Sequence, residues 1–489
     1  MNPTLFTVIG YIAFTVYTVG IMLLGVLLDK KTNIDSTVCR KLTHIASAFV
    51  WVICYVFFGC SLHWVILNAV GAVLLGVVTL NDKFSAFSRT DSEKNFGMFY
   101  FALSTGIVAV ICYFVNKELY LYTGIAYYCL ALGDGLAPLT ARLFGKCNVE
   151  IRPSKTLVGT LTVYLVSFLA TLVFSSVFGL GMSVWFMLSV GALTAVTEFY
   201  GVRGTDNLFC EFFVFGYLVL YHFGMVSPSL IAVLILSPLL AVLAIGSHAM
   251  ATDAGIAAFF LFACSGFFGN DFVPVVFIGI LFLISTAVSV VGKKLSGRSQ
   301  TIDGEHKPRR ANQIIAVGLF AIVSLIIYKI TSVSLFYYIY FLALIEQMAD
   351  SMASDIGRLT KRKNINIITF KPIDKGISGG VSALGTVSAL VSSFVFASIP
   401  LLFNAISVKV FVFIALFAFV GTLIDSVLGA LCQSLYECSS CKCLTENTVH
   451  CGTPSTRIKG FRIIDNVAVN YIAGLLTCFI GVLLIFIGD

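Results

Sequence analysis

An aspartate set between glycines inside an apolar run is the first residue in this chain whose type and setting ask for chemistry. Asp134 lies between Gly133 and Gly135, and the chain leaves that run through Arg142, Gly145 and Lys146 before entering another after Lys155 and Gly159. A carboxylate near the end of a membrane helix is expensive, and it is kept where it has a partner and a task. Glycines let backbone approach a bound group, and a few lysines and arginines suit a polyphosphate. Upstream, Arg40, Lys41 and His44 fall within about one turn of each other if a helix starts there. They read as a basic membrane anchor or as phosphate contacts, with His44 as a hydrogen-bond donor or base. Downstream, Gly204-Thr205-Asp206-Asn207 reads as a turn and helix cap, or as a second carboxylate returning to the face that carries Asp134. The second reading gives a two-carboxylate, metal-nucleotide site at a membrane surface.

The order repeats further along. Glu346, Asp350 and Ser354 are four apart and share one helical face, with Asp355 and Gly357 just beyond. A basic loop follows, carrying Lys371 and Lys375 and then Ser378, Gly379 and Gly380. Asp350-x-x-Ala353 matches Asp134-x-x-Ala137, Lys375-x-x-x-Gly379 matches Lys155-x-x-x-Gly159, and Asp465-Asn466 matches Asp206-Asn207. Asp425, with Gly421, Gly429 and Gln433, adds a polar, glycine-lined helix face that an apolar packing role leaves unexplained. Between Gln433 and Asp465 lie Cys438, Cys441, Cys443, His450 and Cys451. Four cysteines and a histidine in 14 residues could close a structural zinc site, with the four thiolates as the expected set, and a thiol-bearing structural loop is the other reading.

The elements that must position these residues are membrane helices. Of 489 residues 58% are hydrophobic and 11% charged, and the mean hydropathy is +0.98. A soluble domain carries about 25% charged residues, so the composition excludes one. Spans need about 20 apolar residues, and about sixteen such runs can be placed, among them about 43–59, 119–143 and 334–356. The expected fold is therefore an all-α polytopic membrane protein whose two halves run parallel, with the motif loops on the cytoplasmic face. With alternate loops inside, all but Lys117, Lys329 and Lys409 of the 31 lysines and arginines face the cytoplasm, and both termini lie outside. The net charge of +7 then belongs to membrane rims, and no nucleic acid is needed to explain it. The first run lacks a basic n-region and reads as an ordinary helix rather than a cleavable signal.

The motifs of residues 38–210 resemble those of the membrane CTP-dependent lipid-alcohol kinases, the family of dolichol kinase and phytol kinase. The resemblance rests on Arg40-Lys41-x-x-His44, Asn95-x-Gly97, Gly133-Asp134-x-x-Ala137, Lys155-x-x-x-Gly159-Thr160 and Gly204-x-Asp206-Asn207. Residues 250–489 resemble the family of plant phytyl-phosphate kinase, through Asp350-x-x-Ala353-Ser354-Asp355-x-Gly357, Thr369 to Ser382, Asp425-Ser426-x-x-Gly429 and Asp465-Asn466. Domains at 1–249 and 250–489 follow, the second with a cytoplasmic cysteine loop at 436–460. The resemblance implies salvage of phytol, geranylgeraniol, farnesol or a similar alcohol, first to its monophosphate and then to its diphosphate, with Mg²⁺ and CTP or another nucleoside triphosphate. Asp134 and Asp206 become the expected metal ligands of the first site, with Arg40, Lys41, Lys146 and Lys155 on phosphate. Gly133, Gly135, Gly159 and Asn207 would lie near the nucleotide, and His44 is the candidate base. Asp350, Asp355, Asp425 and Asp465 are the metal candidates of the second site, with Lys371, Lys375 and Ser378 to Gly380 on phosphate. The rival readings are a cytidylyltransferase that makes a CDP-lipid and a transporter.

Overall fold

Helices dominate because apolar runs in lipid leave the backbone no partner but itself. The computed structural model describes residues 3–31, 36–80, 97–145, 150–152, 155–201, 205–246, 250–295, 310–357, 359–360, 363–373 and 377–483. Two compact units are formed, residues 1–235 and 236–489. The first holds α1 (Pro3–Lys31), α2 (Ser36–Phe57), α3 (Leu62–Leu80), α4 (Gly97–Phe114), α5 (Tyr120–Phe144), α6 (Leu157–Phe178), α7 (Val184–Tyr200) and α8 (Asp206–His222). The boundary falls inside α9 (Pro228–Gly246). The second holds α10 (Thr252–Phe268), α11 (Val273–Leu295), α12 (Ala311–Thr331), α13 (Ser334–Gly357), α14 (Ala383–Leu402), α15 (Val408–Leu431) and α16 (Asn466–Gly481).

The expected count of sixteen spans is supported only in part. Among the described residues, five are long and apolar enough to cross a bilayer, at Thr4–Gly25, Leu157–Phe178, Ala311–Thr331, Ala383–Leu402 and Val408–Leu431. Helices such as α7, α8 and α10 have 17 residues and α16 has 16. At 1.5 Å per residue they reach about 25 Å, near the lower limit for a ~30 Å hydrocarbon core. Helix α13 has the length but carries three acids. The expectation of helices alone is also corrected, since the longer loops pair their own backbone. A hairpin joins β1 (Glu150–Arg152) to β2 (Lys155–Thr156), and β3 (Asn364–Asn366), β4 (Pro372–Ile373) and β5 (Gly380–Val381) form a sheet in the order β4-β3-β5. A third sheet, in the order β7-β6-β9-β8, is built from β6 (Leu435–Cys438), β7 (Leu444–Thr445), β8 (Val449–His450) and β9 (Thr453–Lys459).

Each unit is arranged around one helix buried on most of its faces, α5 in the first and α13 in the second. Helix α5 packs on α6 and α8, α6 on α7, and α7 on α8. Helix α13 packs likewise on α14 and α16, α14 on α15, and α15 on α16. The entry to α6 and α14 is also shared. Thr156 caps α6 by accepting from the Gly159 amide at 3.2 Å, and Ser382 caps α14 by accepting from the Gly385 amide at 3.1 Å. A Cβ on Gly159 would lie 3.5 Å from the Ala137 carbonyl oxygen, and one on Gly385 would lie 3.0 Å from that of Ala353. The structural counterpart of Gly159 is therefore Gly385, and the match of Gly159 to Gly379 is corrected by six residues.

Candidate functional site

Four helices and one strand of the first unit bring their charged groups to one place. Helix α2 begins earlier than the apolar run suggests, so Lys41 and His44 lie in its first turns. Lys41 Nζ donates to Asp134 Oδ1 of α5 at 2.5 Å, and His44 Nε2 stands 3.6 Å from Asp134 Oδ2. That nitrogen is buried and has no hydrogen-bond partner, and the ring packs on Phe101 at 5.2 Å. Lys155, at the end of the β1–β2 hairpin, donates to Glu198 Oε1 at 2.5 Å and to the Glu198 carbonyl at 2.8 Å. Its ammonium is also 3.6 Å from Asp206 Oδ2. Burial alone would pull the Lys155 ammonium down, but the carboxylates of Glu198, Asp206 and Asp134 outweigh it and hold it above the usual lysine value.

Asp134, Glu198 and Asp206 each offer an oxygen within 4.8 Å of the others. Three hard oxygen donors at that spacing are the donor set Mg²⁺ takes, together with phosphate oxygens and water. The residues present therefore fit a magnesium ion. Glu198 is the member that was not foreseen. It sits at the C-terminal end of an apolar run, where one acid reads as the start of a loop. Its signal was its distance of eight residues from Asp206, across a glycine that the fold requires. A Cβ at Gly201 would collide with Asp206.

The expected glycines have packing roles of their own. A Cβ on Gly135 would meet Ile45, and one on Gly133 would lie 3.2 Å from Val163 Cγ1, so both close helix contacts. Gly159 serves the α6 cap and the approach to Ala137. The Asn207 side chain donates to the Gly97 carbonyl at 2.8 Å and ties α8 to the start of α4. Beside it a buried acid that drew no attention in the sequence, Glu211, accepts from Ser104 at 2.5 Å and Thr105 at 3.0 Å. Lys146 lies outside the described residues, as does the side chain of Arg40.

The second unit gathers a different set from the one expected. Asp350 on α13 and Asp425 on α15 interact electrostatically with each other and with Glu346, one turn before Asp350. Glu346 is fully buried; Gln347 donates to its Oε2 at 2.8 Å, and its Oε1 has no partner. With its amide turned, Asn470 donates to Asp425 Oδ2 at 3.2 Å. Asp465 caps α16 by accepting from Ala468 N at 2.9 Å. Ser378 donates to Gln433 Oε1 at 2.6 Å, and Gly379, at φ +81°, packs against Ala430, so this turn is fastened to the end of α15. Gly380 lies in β5, Lys371 is exposed, and Lys375 falls outside the described residues. A largely apolar cavity of about 80 Å³, lined by residues such as Phe262, Phe282 and Met348, runs up to Gln347 and Ser351.

Long apolar helices and a lysine-bridged acidic cluster define a helical membrane protein. Residues 234–478 match the model of the integral membrane protein family DUF92, and the chain belongs to that family. The first-unit cluster lies ahead of the matched residues. The chain is 27% identical over 198 residues to phytol kinase of Synechocystis sp., covering 39% of this chain and 82% of that one. It is 26% identical over 159 residues to the chloroplastic farnesol kinase of Arabidopsis thaliana, covering 30% of this chain and 50% of that one. It is also 34% identical over 145 residues to protein PGR of Arabidopsis thaliana, covering 27% of this chain and 48% of that one. The chain thus spans about half the length of two of these relatives. No solved structure matches it.

Proposed function

We propose that this protein is a membrane prenyl-alcohol kinase that takes phosphate from CTP or another nucleoside triphosphate. The observation that carries this is the meeting of Asp134, Glu198 and Asp206 with Lys41 and Lys155 beside an unbonded His44 nitrogen. Phosphoryl transfer asks a protein mainly for positioning and for neutralisation of charge on the moving oxygens. The three carboxylates would hold Mg²⁺, which supplies charge neutralisation to the phosphates when bound. Lys41 and Lys155 neutralise the acids here, and each can turn to a phosphate oxygen. His44 Nε2 is placed to take the proton of the attacking hydroxyl. The names of phytol kinase and farnesol kinase support an isoprenoid alcohol as acceptor.

The second unit, on this reading, carries the monophosphate to the diphosphate. The shared helix order, the Asp350–Asp425–Glu346 cluster and the apolar cavity reaching Ser351 support it. An acceptor that is already a phosphate needs no base. The test gives purified protein, labelled CTP and Mg²⁺ to farnesol, geranylgeraniol, phytol and a dolichol, with mass analysis of the lipid product. Wild type should yield diphosphate and Asp350→Ala should stop at monophosphate. A CDP-lipid with released pyrophosphate would refute the kinase reading, and full diphosphate from Asp350→Ala would refute the second site.

A further inference from the structure

The sheet between α15 and α16 brings two turns to the same end. Strand β6 runs into the first turn at Cys438, and β9 leaves the second after Cys451, with Cys438 paired to Ser455 across the ladder. The sulfurs of Cys438, Cys441 and Cys451 and a ring nitrogen of His450 all lie within 4.8 Å of one another. His450 Nδ1 is 3.4 Å from Cys441 Sγ and 3.3 Å from Cys451 Sγ. Zinc–sulfur and zinc–nitrogen bonds of about 2.3 and 2.0 Å in a tetrahedron set a sulfur–nitrogen edge of about 3.5 Å. The observed edges are close to that. Cys443 is outside the group, its thiol lying 3.7 Å from the Cys441 carbonyl.

The backbone is shaped for the same purpose. Lys442 and Cys451 are left-handed, at φ 59° and 51°, without being glycine. Backbone of that kind persists where the surroundings hold it.

We infer that Cys438, Cys441, His450 and Cys451 bind one structural zinc ion, with His450 Nδ1 in the position that Cys443 was expected to fill. Three thiols release their protons to water as the metal enters, and the full ligand set leaves no open position for catalysis. The metal fastens more than its own loop. Glu446, between the two turns, accepts from Gln433 Nε2 at 2.8 Å, and Gln433 Oε1 accepts from Ser378 at 2.6 Å. The zinc ribbon thereby holds the Ser378–Gly380 turn against α15.

Purified full-length protein, carrying a tag without histidine and dialysed against EDTA, is measured by elemental mass spectrometry. About one zinc per chain is expected in wild type and in Cys443→Ser, and less than about a tenth in Cys451→Ser and His450→Ala. Because those two variants can fail to fold, wild type is also titrated with an organomercurial, which should free its zinc as the thiols are consumed. Zinc absent from wild type grown with added zinc, iron in its place, or a disulfide among these cysteines overturns the assignment. So does zinc lost from Cys443→Ser and kept by His450→Ala.

Discussion

Glu198 is the residue on which the account differs most from a reading of motifs. Its carboxylate completes the set with Asp134 and Asp206 and accepts from Lys155, so Glu198→Gln should keep the fold and lower kcat by roughly 10²–10³, as losing one group that stabilises charge in the reacting state does. Steady-state kinetics beside an unchanged thermal midpoint would show it. Lys155 faces the opposite consequence. Lys155→Met leaves buried acids without their cation, a loss of roughly 3–5 kcal/mol for a broken buried pair. Its raised value means the stabilisation is fully present below the usual lysine value and is lost only as pH rises through the raised one. The Lys155→Met deficit in thermal unfolding should therefore be equal at about pH 6 and about pH 8. Asp134, Asp206, Lys41 and Lys155 were legible as a group because charged residues in apolar sequence are few. Glu198 was not, since pairing across helices chooses among neighbours that look alike in one dimension.

At the scale of elements, the turn entering α14 shows what order alone could and could not give. Both halves place a carboxylate on a helix, then a basic, glycine-bearing loop, then another helix, and that order was visible in the sequence. The register was not, because a lysine and glycine four apart matched by chance while the caps Thr156 and Ser382 fix the true alignment. Gly379 has its own reason to be glycine. It sits at φ +81°, and a Cβ there would lie 2.5 Å from Ala430 Cα. Gly379→Ala should destabilise the protein by roughly 1–3 kcal/mol. Gly279→Ala, whose Cβ would meet only Phe262 at 3.8 Å, should be silent in the same thermal unfolding experiment.

For the whole molecule, composition made a helical membrane protein plain, and the DUF92 match agrees with it. The count of sixteen spans went further than these helices support, because hydropathy marks apolar helices without saying how many are long enough to cross unaided. Sixteen helices are found among the described residues, and five of them meet that length and apolarity. Acids are tolerated in apolar surroundings because neighbouring helices supply partners that lipid cannot, Lys41 for Asp134, Ser104 and Thr105 for Glu211, and Asn470 for Asp425. The claim on which the rest depends is that the first-unit cluster transfers phosphate to a lipid alcohol. Its most direct measurement follows label from γ-phosphate-labelled CTP into geranylgeraniol with Mg²⁺, for wild type and for Asp134→Asn in the same membrane. Label should enter the lipid with wild type and fall to background with Asp134→Asn; equal labelling by the two proteins would contradict the account.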